Sequence, residues 1–200
     1  MNNNWPLRSE GYSNPIKFLK TREVKSPSRA NKYDAGIDFY VPEFTMSFIK
    51  DLGEKNKTQW MGGLKILNLL EDKSFELPPQ ERVLIPSGIH CQMANFSRAL
   101  IAANKSGVAT KTGLIFGAQV VDYEYQGEIH ISLINTSNEP VKISAGMKAI
   151  QFLETPIFNS DIIVLEEGKT IGDSILINKE SFFQKETTRG ADGFGSSDKK

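Results

Sequence analysis

The chain has 200 residues, with 24 lysines and arginines against 24 aspartates and glutamates, two histidines and one cysteine. A net charge of zero supplies no broad basic field, so direct nucleic-acid binding is not expected and any polyanion it takes must be small and locally held. Cys91, alone, excludes an internal disulfide and a multi-cysteine metal site and suits a reducing compartment; no sequence neighbour activates it, so it reads as a packing residue.

The stretch 1–6 lacks the charged segment, apolar core and cleavage site of a signal peptide, and no apolar run reaches the length of a membrane span. A soluble cytoplasmic protein without membrane contact is expected. Residues 1–34 are polar and carry Pro6, Pro15 and Pro27, with one short alternating strand at 16–20. Short β-rich segments then recur between turn residues, at 37–41, 82–86, 89–93, 120–121, 128–134, 141–143 and 149–153. The pattern predicts an all-β antiparallel sandwich or jelly roll over 1–186.

One segment, from 44 to about 75, departs from that rhythm. Phe48, Ile49 and Leu52 fall at helical spacing, Gly62-Gly63 breaks the pattern, and 64–70 forms a second element of either type. It reads as a small helical insertion, and its exposed-looking Trp60 and Met61 suggest a surface for a protein partner. Structural elaboration is the simpler account. By composition alone, 187–200 is a flexible tail rich in glycine, serine and charge.

Five motifs carry chemistry. In Asp34-Ala35-Gly36-Ile37-Asp38, Gly36 suits an unusual backbone position and Asp38 suits a turn. In Asn104-Lys105-Ser106-Gly107, a cation, a hydroxyl and backbone amides can meet one phosphate; taken alone it reads slightly better as an ordinary polar turn. Val121-Asp122-Tyr123-Glu124-Tyr125-Gln126-Gly127-Glu128 reads as a β-hairpin with charged tips. Gly146-Met147-Lys148-Ala149-Ile150-Gln151 is core strand with one outward glutamine, and Arg189-Gly190-Ala191-Asp192-Gly193-Phe194-Gly195-Ser196-Ser197 can wrap closely over a ligand.

In order and spacing the five together resemble the trimeric dUTPase family, across roughly 33–197. That resemblance implies hydrolysis of dUTP to dUMP and pyrophosphate with Mg²⁺ in a homotrimer with shared sites, limiting uracil in DNA and supplying dUMP for thymidylate synthesis. Asp122 would orient and deprotonate the attacking water. Tyr125 would lie beneath the deoxyribose and exclude a 2′-hydroxyl, and the hairpin backbone from Val121 would read uracil. Lys105, Ser106 and Gly107 would hold phosphate, and Gln151 phosphate or metal-bound water. The 187–200 stretch would be a mobile arm whose Arg189, Ser196 and Ser197 hold the outer phosphates while Phe194 and Gly195 cover the base. Mg²⁺ would have no direct protein ligand, with Asp38 and Gln151 as outer-shell partners. Lys105 and Lys148 stand where the family has arginine, Asp198 where it has glycine, and an asparagine expected near Ala118 is missing. His90 and His130 match no functional position. Two alternatives are weighed: a dCTP deaminase of the same fold, which would need a glutamate base in the hairpin and against which Asp122 and Gly193-Phe194-Gly195-Ser196 argue, and a dUTP-responsive regulatory protein acting through the 44–75 segment, which stays open.

Overall fold

Alternation along the strands decides which side of each sheet meets the core. In the computed structural model, which describes residues 15–57, 60–171, 175–176, 178 and 182–183, the described strands and α-helices up to Pro156 run in this order. β1 (Lys17–Lys20) and β2 (Gly36–Tyr40) precede the helices α1 (Met46–Lys55) and α2 (Ile66–Asp72). Then come β3 (Ser74–Leu77), β4 (Arg82–Gln92) and β5 (Arg98–Ala103), followed by helix α3 (Ser106–Thr112). β6 (Leu114–Phe116), β7 (Val120–Val121), β8 (Ile129–Asn135), β9 (Val141–Ser144) and β10 (Lys148–Pro156) complete the unit. This is the all-β sandwich expected from the sequence.

Two four-stranded sheets, ordered β1-β4-β8-β6 and β2-β10-β5-β7, are joined by the small β3-β9 pair, and every ladder is antiparallel among the described residues. The sheets meet through rings: Phe39 of β2 lies 5.7 Å from Phe18 of β1, edge to face, and 4.6 Å from Phe152 of β10. Ile129, Ile131 and Leu133 alternate inward along β8 and are buried with Val83, Ile85 and Ile89 of β4. Asn135, wholly buried, ends β8. Its Nδ2 lies 2.8–3.1 Å from the carbonyls of Leu77, Pro78 and Glu139, and its Oδ1 accepts from the Ser137 amide and hydroxyl. One side chain thereby pins the β8–β9 turn to the end of β3.

The structure revises several sequence expectations. Residues 82–86 and 89–93 are one strand, β4, carrying an irregularity between Pro86 and Ile89. The 44–75 segment, expected as a small helical insertion, is one, with two helices separated by a 3₁₀ turn, Met61–Gly63, so its second element is settled as a helix. Thr45 caps α1 by accepting the Phe48 amide at 3.2 Å, and Phe48, Ile49 and Leu52 are buried. At its other end Asn56 exchanges hydrogen bonds with Leu84 of β4 and also donates to the Leu52 carbonyl, all at 2.7 Å, which staples the helix to the sheet edge. Trp60 and Met61 are not exposed: both are half-buried against the core, and the Trp60 ring sits 5.9 Å from that of Phe75. Residues 106–112, expected as loop, form α3.

Contacts divide the chain into two units, Met1–Phe158 and Asn159–Lys200. In the second, Thr170–Ile171 pairs antiparallel with Ile175–Leu176. No helix among the described residues is long and apolar enough to cross a membrane.

His130 points away from the β8 core face yet is half-buried. Its Nδ1 is 2.8 Å from the Glu128 carbonyl, which can only accept, so Nδ1 carries the proton and Nε2 is buried without a partner among the described residues. Burial holds its pKa below the ordinary 6.5, against the opposing pull of that hydrogen bond. The unfolded chain therefore takes up this proton first: stability is full above about pH 6.5 and is lost as pH falls through the depressed folded value. Denaturant titrations between about pH 5 and 8 should show that slope, and His130→Asn should flatten it.

Candidate active site

The alternation that turns Ile37 and Phe39 of β2 toward the core turns Asp38 and Tyr40 to the other face. Register does the same on β10, where Gln151 pairs with Asp38 and Lys148 with Tyr40, while Ala103 at the end of β5 pairs with Gln151 from the other side. One row across the sheet thus collects Asp38, Gln151 and the chain entering α3. Asp38 is 2 % exposed. Lys105 Nζ donates to its Oδ1, and Lys148 Nζ lies 3.0 Å from Oδ2 as an ion pair rather than an aligned hydrogen bond. Burial alone would raise the Asp38 pKa, but contact with Lys105, then with Lys148, and the charges of both hold it below the ordinary 3.8. The same contact raises Lys148.

Gln151 donates from Nε2 to the Asn104 carbonyl at 2.8 Å, and Asn104 Oδ1 accepts the Phe116 amide at 2.9 Å. A Cβ on Gly36 would collide with the Gln151 side-chain oxygen, so glycine is what lets the amide lie across β2. Lys105 occupies the N-cap position of α3 and has no acceptor to offer the Ser106 and Gly107 amides, while the Val108 and Ala109 amides bond back to its carbonyl. The sequence candidates Asp38, Lys105, Ser106, Gly107 and Gln151 are therefore gathered at one end of the β2-β10-β5 row.

The other candidates lie elsewhere. Val121 is buried and pairs with Leu100 of β5, and Asp122 follows it, exposed, where the chain leaves the sheet. The Tyr125 amide donates to the Asp122 carbonyl at 3.1 Å, which closes the turn. The Tyr125 hydroxyl donates to the Glu128 carbonyl at 2.9 Å, which draws the ring down over Gly127, where a Cβ would stand 2.5 Å from the ring. Glycine at 127 is thus the space that the ring fills. A cleft of about 830 Å³ runs beside this turn, lined by Tyr123, Tyr125 and Gln126 with Phe18, His90 and Cys91.

The two clusters sit at opposite ends of β5. Asp122 lies one residue past the Leu100–Val121 pair, whereas the phosphate-loop candidates begin beyond Ala103, a strand distance of roughly 10 Å from Leu100 at about 3.3 Å per residue. One chain does not bring Asp122 to Lys105. Arg189, Phe194, Gly195, Ser196 and Ser197 lie outside the described residues.

Sequence reasoning placed Asn104 in the second motif but gave neither it nor Lys148 a task, because both meet their partners only through the fold. Cys91 is half-buried, and burial, then the Glu154 charge, pushes its thiol up to about 11, so it is no nucleophile at neutral pH. His90 Nδ1 is 3.0 Å from the Gln126 carbonyl and supports the turn. Among the described residues no three His, Cys, Asp or Glu side chains come together to hold a metal ion. Asp38 already has a cation on each oxygen; the site suits an ion carried in by phosphate oxygens better than one caged by the protein.

The sequence profile of the dUTPase family matches residues 63–198. A deoxyuridine 5′-triphosphate nucleotidohydrolase of Haemophilus influenzae (strain PittEE) is 33 % identical over 144 residues, covering 71 % of this chain and 84 % of that protein. The enzyme of the same name from Wolbachia pipientis subsp. Culex pipiens (strain wPip) is 34 % identical over 142 residues, covering 70 % and 82 %. In fold, the chain is similar to a mutant dUTPase of Staphylococcus bacteriophage 80alpha solved with dUpNHpp, at a TM-score of 0.63 and 19 % identity over 92 % of this chain and 99 % of that one. A mutant dUTPase of phage phi11 of S. aureus, described with a structural Mg(II) ion, gives 0.57 and 18 % over 78 % and 100 %.

The Asp38 contribution to stability is full above pH 3.8 and is lost as pH falls through the carboxyl's depressed folded value. Asp38→Asn should remove that acid limb and cost about 1–3 kcal/mol at neutral pH, since both lysines keep some access to water. Denaturant titrations of the two proteins across the acid range measure both effects.

Proposed function

The chain belongs to the dUTPase family, and from this premise we propose that it hydrolyses dUTP to dUMP and pyrophosphate in the cytoplasm, at sites built from several copies of itself in a trimer. The observation that supports this reading most is the hairpin: Tyr125 held over Gly127 and Asp122 left exposed beside it, all within the span matched by the family profile. The separation of Asp122 from the Lys105 end supports sharing, because a neighbouring chain can supply what one chain keeps apart.

In this reading Tyr125 packs beneath the sugar and leaves no room for a 2′-hydroxyl, so ribonucleotides are refused by steric exclusion. The hairpin backbone from Val121 reads the uracil edge. The Lys105 ammonium, the Ser106 hydroxyl and the Gly107 amide take phosphate oxygens, and Gln151 orients a phosphate or a water. When Lys105 turns toward a phosphate, Lys148 still balances Asp38, so the carboxylate does not repel the incoming anion. Arg189, Ser196 and Ser197 hold the outer phosphates, and Phe194 and Gly195 close over the base.

Asp122 takes a proton from water as the water oxygen bonds to the α-phosphorus in line with the departing bridge oxygen. The bond to that bridge oxygen breaks, and pyrophosphate leaves with the electron pair. Mg²⁺ bound with the nucleotide would offset phosphate charge, and Asp38 and Gln151 would be its outer-shell partners.

Pyrophosphate release should be fast with dUTP and Mg²⁺, nearly absent with UTP, dTTP and dCTP, and abolished by chelation; equal rates on all four nucleotides would overturn the reading. Asp122→Asn should keep nucleotide binding and lose turnover by about 10²-fold or more, and near-full activity would remove Asp122 as the base.

A further inference from the structure

We propose that Arg22 is a positioning residue that ties helix α1 to the hairpin, fixing Glu128 and through it the orientation of the Tyr125 ring that sets the preference for deoxyribose over ribose. The inference rests on the placing of Tyr125 beneath the sugar and adds to it a residue and an element that the five motifs do not contain.

Arg22 lies in the connection between β1 and β2, and its side chain is only 13 % exposed. Its stem crosses β4 at Gly88, where any Cβ would collide with the Arg22 Cγ, so the strand is open at the one point the side chain needs. Beyond that crossing the guanidinium sits 5.9 Å from the centre of the Phe48 ring of α1. Nη2 reaches two carboxylates at 3.1 Å each, Asp51 of α1 and Glu128 of the hairpin. Nε is buried and meets no partner among the described residues, so the group sits where its two ion pairs are served and not where all its protons are.

Glu128 is the junction. Its Oε1 accepts the Gly88 amide at 2.5 Å, and its carbonyl accepts both the Tyr125 hydroxyl at 2.9 Å and His130 Nδ1 at 2.8 Å. With its side chain held by Arg22 and Gly88, and β8 beginning at the next residue, the Glu128 peptide has little freedom to rotate. The carbonyl direction that aims the Tyr125 ring follows from that. The Arg22–Glu128 pair, 13 % and 18 % exposed, is screened weakly, whereas Asp51 is 40 % exposed and its pair with Arg22 is the weaker half of the link, so losing Asp51 is felt at Glu128 less than losing Arg22. A helix outside the five motifs is thereby connected to the residue that measures the sugar.

The experiment compares kcat/KM for dUTP with kcat/KM for UTP on the same preparation of full-length protein, so that any loss of folded enzyme cancels in the ratio. Arg22→Met, which keeps the stem, should lower the ratio by about tenfold, chiefly through a lower KM for UTP, and Arg22→Lys should recover part of it. Asp51→Asn, at the helix end of the link, should lower it by about two- to threefold and decides the matter if Arg22→Met does not fold. Tyr125→Ala is the control and should collapse the ratio. An unchanged ratio in Arg22→Met, or in Asp51→Asn where only that variant folds, overturns the tie if Tyr125→Ala collapses it. An unchanged ratio in Tyr125→Ala overturns the placing of the ring beneath the sugar, and the tie falls with it.

Discussion

A buried carboxylate is tolerated only where its charge is matched, and Asp38 is matched twice. Its two oxygens take Lys105, from the chain leaving β5, and Lys148, from the start of β10, while its own backbone belongs to β2. Three segments distant in sequence are thus held at one end of one sheet by a single side chain. The position of Lys105 follows from that grip, and so does the approach of Asn104 to Gln151. The Lys105 end of the proposed site is a consequence of how the sheet disposes of one charge.

At the opposite end of the same sheet Arg98 of β5 pairs with Glu154 of β10, and the base of the hairpin is tied by the Arg22–Glu128 pair. There the hairpin is shaped by backbone bonds and by a ring resting on a glycine, and Asp122 is left in water. A base that must take a proton from water gains from that freedom, whereas a cation that must meet a phosphate gains from being aimed in advance. Strand β5 keeps the two arrangements apart within one chain. In the proposed function assembly would unite them, and the separation supports that reading where composition could not.

Legibility in the sequence followed the strength of local pattern. Ile129–Asn135, whose branched residues alternate strictly, was readable because one face had to be buried, and Gly36–Tyr40, buried on both faces, was readable from its short β-rich run between turn residues. Arg98–Ala103 was missed because three of its six residues are alanine, weak in strand propensity, and only pairing with β10 makes it a strand. Helix α3 was missed because glycine, valine and threonine are poor helix formers; its end is set by Gly113 in the left-handed region. Trp60 looked exposed because nothing local announces a ring waiting at Phe75. Most candidate site residues were legible only through resemblance to a family, since the motifs taken singly are ordinary turns and strands.

The lysines at 105 and 148 looked, in the sequence, like two separate departures from the family's arginines. The structure places both ammoniums on Asp38, so they are one feature. An arginine presents a rigid planar fork that suits two acceptors side by side, whereas a lysine is a compact charge on a flexible stem. Here one lysine stands on each carboxylate oxygen. Either can then leave without stripping the carboxylate of its partner. If Lys105 turns from Asp38 to an incoming phosphate, as the proposed function requires, that division lowers the cost of leaving, because the charge left behind stays paired with Lys148.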